Sequence, residues 1–333
     1  HGRGFWVLDD ITILEELTPE ASASDLHLAS PRRARQLSSF NRGRSSLGHS
    51  RFAASNPPDG AIISLWVGPD AWVSGSEEGE RPTLEIEILD DSGEVLRRLA
   101  PPGGFDRPGI HRLVWDMRYP PALLPSPDGD LGTGPWGPWV LPGDYHVRLR
   151  LGDQEQTKGF RIEGDPAVDI SPSDRAAWHD TLVQLHGMIG VSHAVTTTVS
   201  QLQVQVAQIR EILATRSEPD AALGARLDDL EVKLQAIFEE MEGADTGGGA
   251  TQPGAPPLAR QIRQLYSAIG ASTALPTADQ TRLTERSREL LSAQVDSVNR
   301  LLDVDLAQLE EQLDQVGIPW TPGRRIAPVR WGP

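Results

Sequence analysis

The residue types that could do chemistry are few, and they are scattered along the chain. The tightest carboxylate groups are Asp9-Asp10, Asp90-Asp91 and Asp128-Gly129-Asp130. A glycosidase needs two carboxyl groups roughly 5–10 Å apart across a sugar site. Neighbouring residues on a strand point to opposite faces, so Asp9 and Asp10 cannot form that pair. They read as a strand end and turn, and Asp90-Asp91 reads the same way. Asp128-Gly129-Asp130 lacks the further spaced oxygen ligands and closing Glu of a calcium loop. His1 could chelate copper through its amine and ring with His49, His111 or His146 as second ligand. The alternative is an ordinary residue, because the sequence after it continues like an internal strand. His179, His186 and His193 recur every seven residues, about 10.5 Å apart on a helix. That is too far to share one metal, so they read as a polar or interfacial stripe. No Gly-x-Ser-x-Gly elbow, phosphate loop or dinucleotide fingerprint is present. These readings name no catalytic residue, metal or cofactor. The candidate ligand-binding residues are Trp136 and Trp139 in Trp136-Gly137-Pro138-Trp139. Flat aromatics in a Gly/Pro loop stack on sugar rings or anchor a protein partner. The alternative is that they cap an open end of a β core. Trp115 reads as core.

Such residues need a scaffold, and the composition is that of a folded one. The chain has 333 residues, 38% of them hydrophobic, which suggests two or three domains. The net charge of −16 repels phosphate backbones and argues against nucleic-acid binding. Lys158 and Lys233 are the only lysines among 31 basic residues. The absence of cysteine excludes disulfides, thiol catalysis and Cys-ligated metals. No apolar run reaches the ~20 residues that span a bilayer, and no signal peptide opens the sequence. Because residue 1 is His, the expectation is a removed leader or a start inside a longer chain.

Residues 60–163 are expected to be all-β. Ala61 to Val67 forms an apolar strand, and Leu84, Ile86 and Ile88 alternate onto one face. Asp90-Asp91-Ser92-Gly93 turns the chain into Val95 to Leu99. Strands follow at Gly109 to Trp115, Asp144 to Leu151 and Thr157 to Ile162. About six short strands with turns at this spacing argue for a sandwich. Phe5 to Leu8 reads as a short strand, and residues 20–58 read as irregular, leaving that strand without a local partner. From Ser171 onward the period changes to threes and fours. Helices are predicted over 173–216, 220–242, 258–269 and 277–315. Residues 243–257 form a Gly/Pro connection, and Gly317-Ile318-Pro319 is a stop. Helices this long must pack against one another.

His1-Gly-Arg-Gly-Phe-Trp-Val-Leu-Asp-Asp resembles the closing strand of a β-propeller in sortilin-like, BNR-repeat proteins, often labelled glycosyl-hydrolase-like. Asn56-Pro57-Pro58-Asp59-Gly60-Ala61 resembles the start of the module that follows the propeller there. Leu141-Pro142-Gly143-Asp144-Tyr145 with Asp165-Pro166 resembles its end. The module is also similar to the Ig-like module of flagellar hook-capping proteins, through Asp90 to Gly93, Trp115-Asp116 and Pro142 to Tyr145. The resemblance implies a multidomain β-then-α architecture. An orphan propeller strand and linker would occupy residues 1–58. An Ig/fibronectin-III-like β-sandwich would follow at 59–165, an antiparallel helical bundle at 171–318 and a disordered tail at 319–333. It implies a non-catalytic accessory region, secreted or periplasmic, partnered by the upstream propeller and a protein or glycan. The alternative is part of a glycan-acting hydrolase whose chemistry lies on that propeller.

Overall fold

The structure is a computed structural model that describes Leu8 and residues 10–37, 58–71, 83–101, 107–123, 136–215, 220–243 and 256–317. The strand expected at Phe5 to Leu8 lies outside this set except for Leu8, which is in no strand. Asp9, Asp128 to Asp130, His1, His49 and the tail 319–333 also lie outside it. The chain combines sheets with a C-terminal helical region. It divides into two compact units, residues 1–121 with 136–179, and residues 122–135 with 180–333.

The first unit opens with two short helices, α1 (Thr12–Glu16) and α2 (Pro19–Ser22). The strands are β1 (Leu26–Leu28), β2 (Ala34–Arg35), β3 (Ala61–Val67), β4 (Leu84–Leu89), β5 (Val95–Leu99), β6 (Gly109–Trp115), β7 (Gly143–Leu151) and β8 (Gln154–Glu163). They form a three-stranded sheet of order β1-β3-β6 and a five-stranded sheet of order β2-β8-β7-β4-β5. All pairings are antiparallel except β2 with β8, which makes the second sheet mixed. Alternation dictates the filling. Leu26 and Leu28, Ile63 and Leu65, Ile86 and Ile88, Val147 and Leu149 all project into one core shared by the two sheets, with Trp115 and Ile162.

The segment read as irregular is therefore corrected. Residues 20–37 supply β1 and β2, one to each sheet. Leu26 and Leu28 do alternate, but three residues and two residues are too short to stand out as strands without their partners. β1 is stitched to the other sheet by Gln156, whose Oε1 accepts from Leu28 N at 2.8 Å and whose Nε2 donates to Leu26 O at 2.7 Å.

The opposite face of the five-stranded sheet is charged. Glu87 on β4 lies directly across from Arg98 on β5 and Arg148 on β7, and Glu85 lies across from Arg150. Glu87 accepts from Arg98 Nε at 3.1 Å and from Arg148 Nε at 2.9 Å and Nη2. Its side chain is only 3% exposed. Arg148's hydrogen bonds hold its carboxyl below the ordinary range against the opposing effect of burial, with Arg98 adding to the same direction.

Helix α3 (Pro172–Ala214) starts where the Ser171 hydroxyl accepts from Asp174 N at 3.1 Å, an N-cap. Its first turns, through His179, belong to the first unit, where the His179 ring lies 5.8 Å from the Tyr119 ring. The division between the two compact units falls inside α3, between His179 and Asp180.

The second unit holds the rest of α3 with α4 (Ala221–Glu242), α5 (Leu258–Gly270) and α6 (Ala278–Arg300), a π-helical stretch at Leu301–Leu306, and α7 (Ala307–Gln315). The apolar stripes run as their spacing predicts on α3, where Leu182, Leu185, Ile189, Val195, Val199, Leu202, Val206 and Ile209 are buried. The same holds on α4 for Leu223, Leu227, Leu230, Leu234 and Ile237. Asp220 caps α4, and Thr277 with Gln280 forms a reciprocal capping box on α6. Of the apolar positions expected to face inward on the last long helix (Leu283, Leu290, Val295, Val298, Leu302, Leu306, Leu309 and Leu313), Val298, Leu309 and Leu313 are buried, and the first two turns differ. Thr284, Ser287 and Leu291 are buried, while Leu283 is exposed. Thr284 donates its hydroxyl to Gln280 O at 2.8 Å, one turn back in the same helix. The π-helical stretch was not expected from the sequence. Leu301 and Leu309 are both buried eight residues apart, whereas two α-turns take about seven. The extra residue is absorbed by widening the helix.

Candidate functional site

The site is built outward from Trp115 at the end of β6. Its ring is 1% exposed and packs edge-on against Tyr145 at 5.9 Å and Phe160 at 6.3 Å. Its Nε1 donates to Arg118 O at 3.0 Å, so the core holds the turn that follows. Within that turn Asp116 Oδ1 accepts from Arg118 N at 3.2 Å and from Arg97 Nη1 at 2.8 Å. Arg97 Nη1 also donates to the carbonyls of Arg118 and Tyr119 at 3.1 and 3.3 Å. Met117 sits at φ +57°, in a left-handed conformation that is uncommon for a non-glycine residue. The surrounding bonds over-determine it.

The Trp136 to Val140 segment lies antiparallel against this turn. Tyr119 N donates to Pro138 O at 3.0 Å, Val140 N donates to Met117 O at 2.9 Å, and Arg118 bridges Trp139. Gln36 Nε2 ties Val140 O down at 2.6 Å. Gly137 is obligatory, since a Cβ there would stand 2.0 Å from Tyr119 O. Arg118 then folds back. Its Nη1 donates to Gly137 O at 3.1 Å, and its guanidinium carbon lies 4.6 Å from the centre of the Trp139 ring, a cation–π contact.

The two candidate tryptophans therefore occupy one ledge with different surroundings. Trp139 is half-buried beneath Arg118, and Trp136 is 69% exposed. A flat apolar ring beside a guanidinium, on a backbone pinned at several points, can stack on a planar or pyranose face or fill a partner's pocket. Sequence reasoning missed Arg118, Asp116 and Arg97. Arg97 comes from β5, and no spacing rule connects it to the turn. The only local signal was Trp115-Asp116 itself.

The other candidates are dispersed. Asp90 Oδ1 accepts from Ser92 N and Oγ and from Glu94 N at 2.9, 2.7 and 3.0 Å, an Asx-type turn whose Ser92 hydroxyl holds the carboxyl below its ordinary range. Asp10 Oδ1 accepts from Thr12 N and Oγ1 at 2.9 and 2.6 Å and opens α1. His111 Nε2 lies 2.8 Å from Arg107 O, and the His146 ring lies over Gly159. His186 lies 6.2 Å from the Tyr266 ring, and His193 is exposed. Among the described residues, no group of three or more His, Asp or Glu side chains is placed to hold a metal ion. No described helix is long and apolar enough to cross a membrane. No protein-family model matches the chain, and no curated protein matches it.

Proposed function

We propose that this chain is a non-catalytic interaction region of an exported BNR-repeat, sortilin-like protein, in which an Ig-like sandwich and a helical bundle serve assembly and partner binding. Support for the Ig-like reading comes from the path of the chain. It crosses between the two sheets from β3 to β4, from β5 to β6 and again from β6 to β7, so each sheet interleaves strands distant in sequence. Tyr145, near the start of β7, donates its hydroxyl to Leu141 O at 2.5 Å, which is the bond of the tyrosine corner in such folds. Burial pushes that phenol well above its ordinary pKa, so it remains a donor. The propeller partnership and the exported location rest on the motifs at His1 to Asp10 and Asn56 to Ala61.

The observation that carries the interaction reading is Trp136, exposed beside a backbone bonded at Gly137, Pro138 and Val140. Exposed tryptophan on a rigid support is the anchor type that dominates protein interfaces. Reading the coding sequence upstream of His1 tests the assignment: several blade-length repeats of four strands are expected there, and their absence overturns it. A second reading, a glycan-acting protein in which the ledge assists, is favoured by the same flat ring. Calorimetric titration of the full chain with soluble cello-, xylo- and chito-oligosaccharides separates the two. Binding that is lost in Trp136→Ala supports the second reading, and no heat of binding supports the first.

A further inference from the structure

In the helical unit, α5 runs antiparallel along one side of α3. Gly270, its last residue, stands against Leu182, whose Cδ2 lies 3.7 Å from where a Cβ on that glycine would be. Four residues back along α5, the Tyr266 ring lies 6.2 Å from the ring of His186, four residues further along α3. At this pitch Leu258, the first residue of α5, falls level with the turn of α3 that holds His193. A groove of about 1000 Å³ opens at that turn. The side of α3 that α5 covers continues into it. Leu182, His186 and His193 are followed there by Thr197, Ser200, Val204 and Gln208, at helical spacings of three, four and seven. These last four are exposed. Among the described residues no helix continues α5 along this stretch, so α3 presents a helix-packing stripe with no helix on it.

We propose that the groove takes a basic amphipathic α-helix from a partner protein, about four turns long, seated in line with α5. The dimensions select a helix. From His193 to Gln208 is about 22 Å, the length of a helix of about 15 residues. The wall is a stripe with the three-and-four spacing into which the ridges of a second helix pack. Thr197 and Ser200 are small, so a helix backbone can come close to α3 there. The packing of α5 on the same side of α3 continues directly into the groove. The site lies wholly in the helical unit, and it does not depend on the propeller assignment or on the tryptophan ledge.

The lining sets the chemistry of the guest. Leu202, Phe238 of α4, and Leu302 and Leu306 of the π-helical stretch offer an apolar surface to a stripe of Leu, Ile or Met. Gln205 borders the groove at 7% exposure, and its amide nitrogen has no hydrogen-bond partner among the described residues. A buried N–H left unpaired is unfavourable. A guest side chain with an acceptor oxygen, such as Gln or Ser, completes that bond, which a wholly apolar stripe cannot do. Glu242 is the carboxylate on the rim, and among the described residues no Lys or Arg lines the groove. The whole chain carries a net charge of −16, so a guest with Lys or Arg on its outer face is attracted and an acidic one is repelled.

The absence of cysteine allows a clean test in the full chain. Val204 lines the groove at 58% exposure, so Val204→Cys places a single thiol there without disturbing the core, and acrylodan on that thiol reports burial. The probe is a synthetic, end-capped peptide of about 15 residues made of Leu, Ala, Lys and one Gln, with Leu and Gln on one helical face. It should give a saturable blue shift of the dye emission. The same residues in an order that has no apolar face should give none. A version with Glu in place of Lys should bind roughly ten-fold more weakly at low salt. With the peptide labelled instead and its anisotropy read, Ser200→Trp, which fills the groove from an exposed position, should abolish binding. No saturable shift with the first peptide, or an equal shift with the reordered one, overturns the proposal. A blue shift that grows with protein concentration in the absence of peptide also overturns it, because it assigns the groove to a second copy.

Discussion

The sheet unit and the helical unit handle polar groups in opposite ways. In the sheets, Glu87 is sunk among arginines on the outer face, and Gln36, Gln156 and Arg97 reach far along the sequence to bond backbone carbonyls. In the helices, the pairs Arg210 with Asp228 and Lys233 with Asp229 lie at the surface with side chains more than 40% exposed, where each contributes well under about 1 kcal/mol. A helix satisfies its own backbone, so its side chains need only bury a stripe. Strands and turns depend on neighbours distant in sequence, and there polar side chains complete the backbone. The candidate ledge arises in the unit of the second kind.

That contrast can be broken by substitution. The largest effect is expected for Trp115→Ala, which empties the shared core and frees the ledge's first anchor. A loss of about 3–5 kcal/mol is expected, read as a lower urea midpoint. It should be accompanied by loss of the ring-current-shifted signals of Tyr145. A smaller shift than for a single helical leucine such as Leu309→Ala would contradict the central role given to Trp115.

Next is Glu87→Gln, expected to cost about 1–3 kcal/mol at pH 7 through the weakened charged hydrogen bonds. The pH dependence has a definite sign. The folded-state pKa of Glu87 is lowered, so its contribution is complete above the ordinary glutamate value near 4.3. It is lost as pH falls through the lower folded-state value. The stability gap between wild type and Glu87→Gln should therefore be constant from pH 8 to 6 and shrink steadily below about pH 4.5. A gap that widens in acid would reverse the assignment. Arg210→Ala on the helical surface should show no gap of comparable size at any pH.

A pair of glycine variants of opposite sign includes the smallest effect. Gly137→Ala places a methyl against Tyr119 O and should destabilise by about 1–3 kcal/mol, splaying the ledge and quenching any binding that depends on Trp136. Gly187→Ala, in α3, meets nothing within 4 Å and should stabilise by about 0.5–1 kcal/mol. Thermal melts of the two variants measure the pair. Shifts of the same sign would remove the distinction between a turn glycine required by close approach and a helix glycine without a packing role.

How much of this was legible from sequence follows the same division. The long C-terminal helices came out within a residue or two because a 3.6-residue period is local, while the short helices α1 and α2 span too few residues to show one. Ser171, Thr277 and Gly317 mark their ends by side-chain and backbone chemistry that needs no partner. At the start of α6 the buried positions are Thr284 and Ser287 rather than Leu283, because burial there is set by the neighbouring helices and not by residue type. The long strands were visible from alternation, but β1 and β2 were not. The ledge was half visible: Trp136 and Trp139 stand out by type, while the residues that hold them do not.

By itself the sequence determined the long helices and the long alternating strands, the acidic net charge and the absence of thiol chemistry. These depend on composition and on periods of two and 3.6 residues, which are properties of neighbours in the chain. The tertiary structure alone decided that residues 26–28 and 34–35 belong to different sheets, that Glu87 sits buried between two arginines, and that Arg97, Asp116 and Arg118 brace the tryptophans. Those outcomes are set by which backbone groups are left unpaired when distant strands meet, and an unpaired buried donor or acceptor selects its partner by position in space rather than by position in sequence.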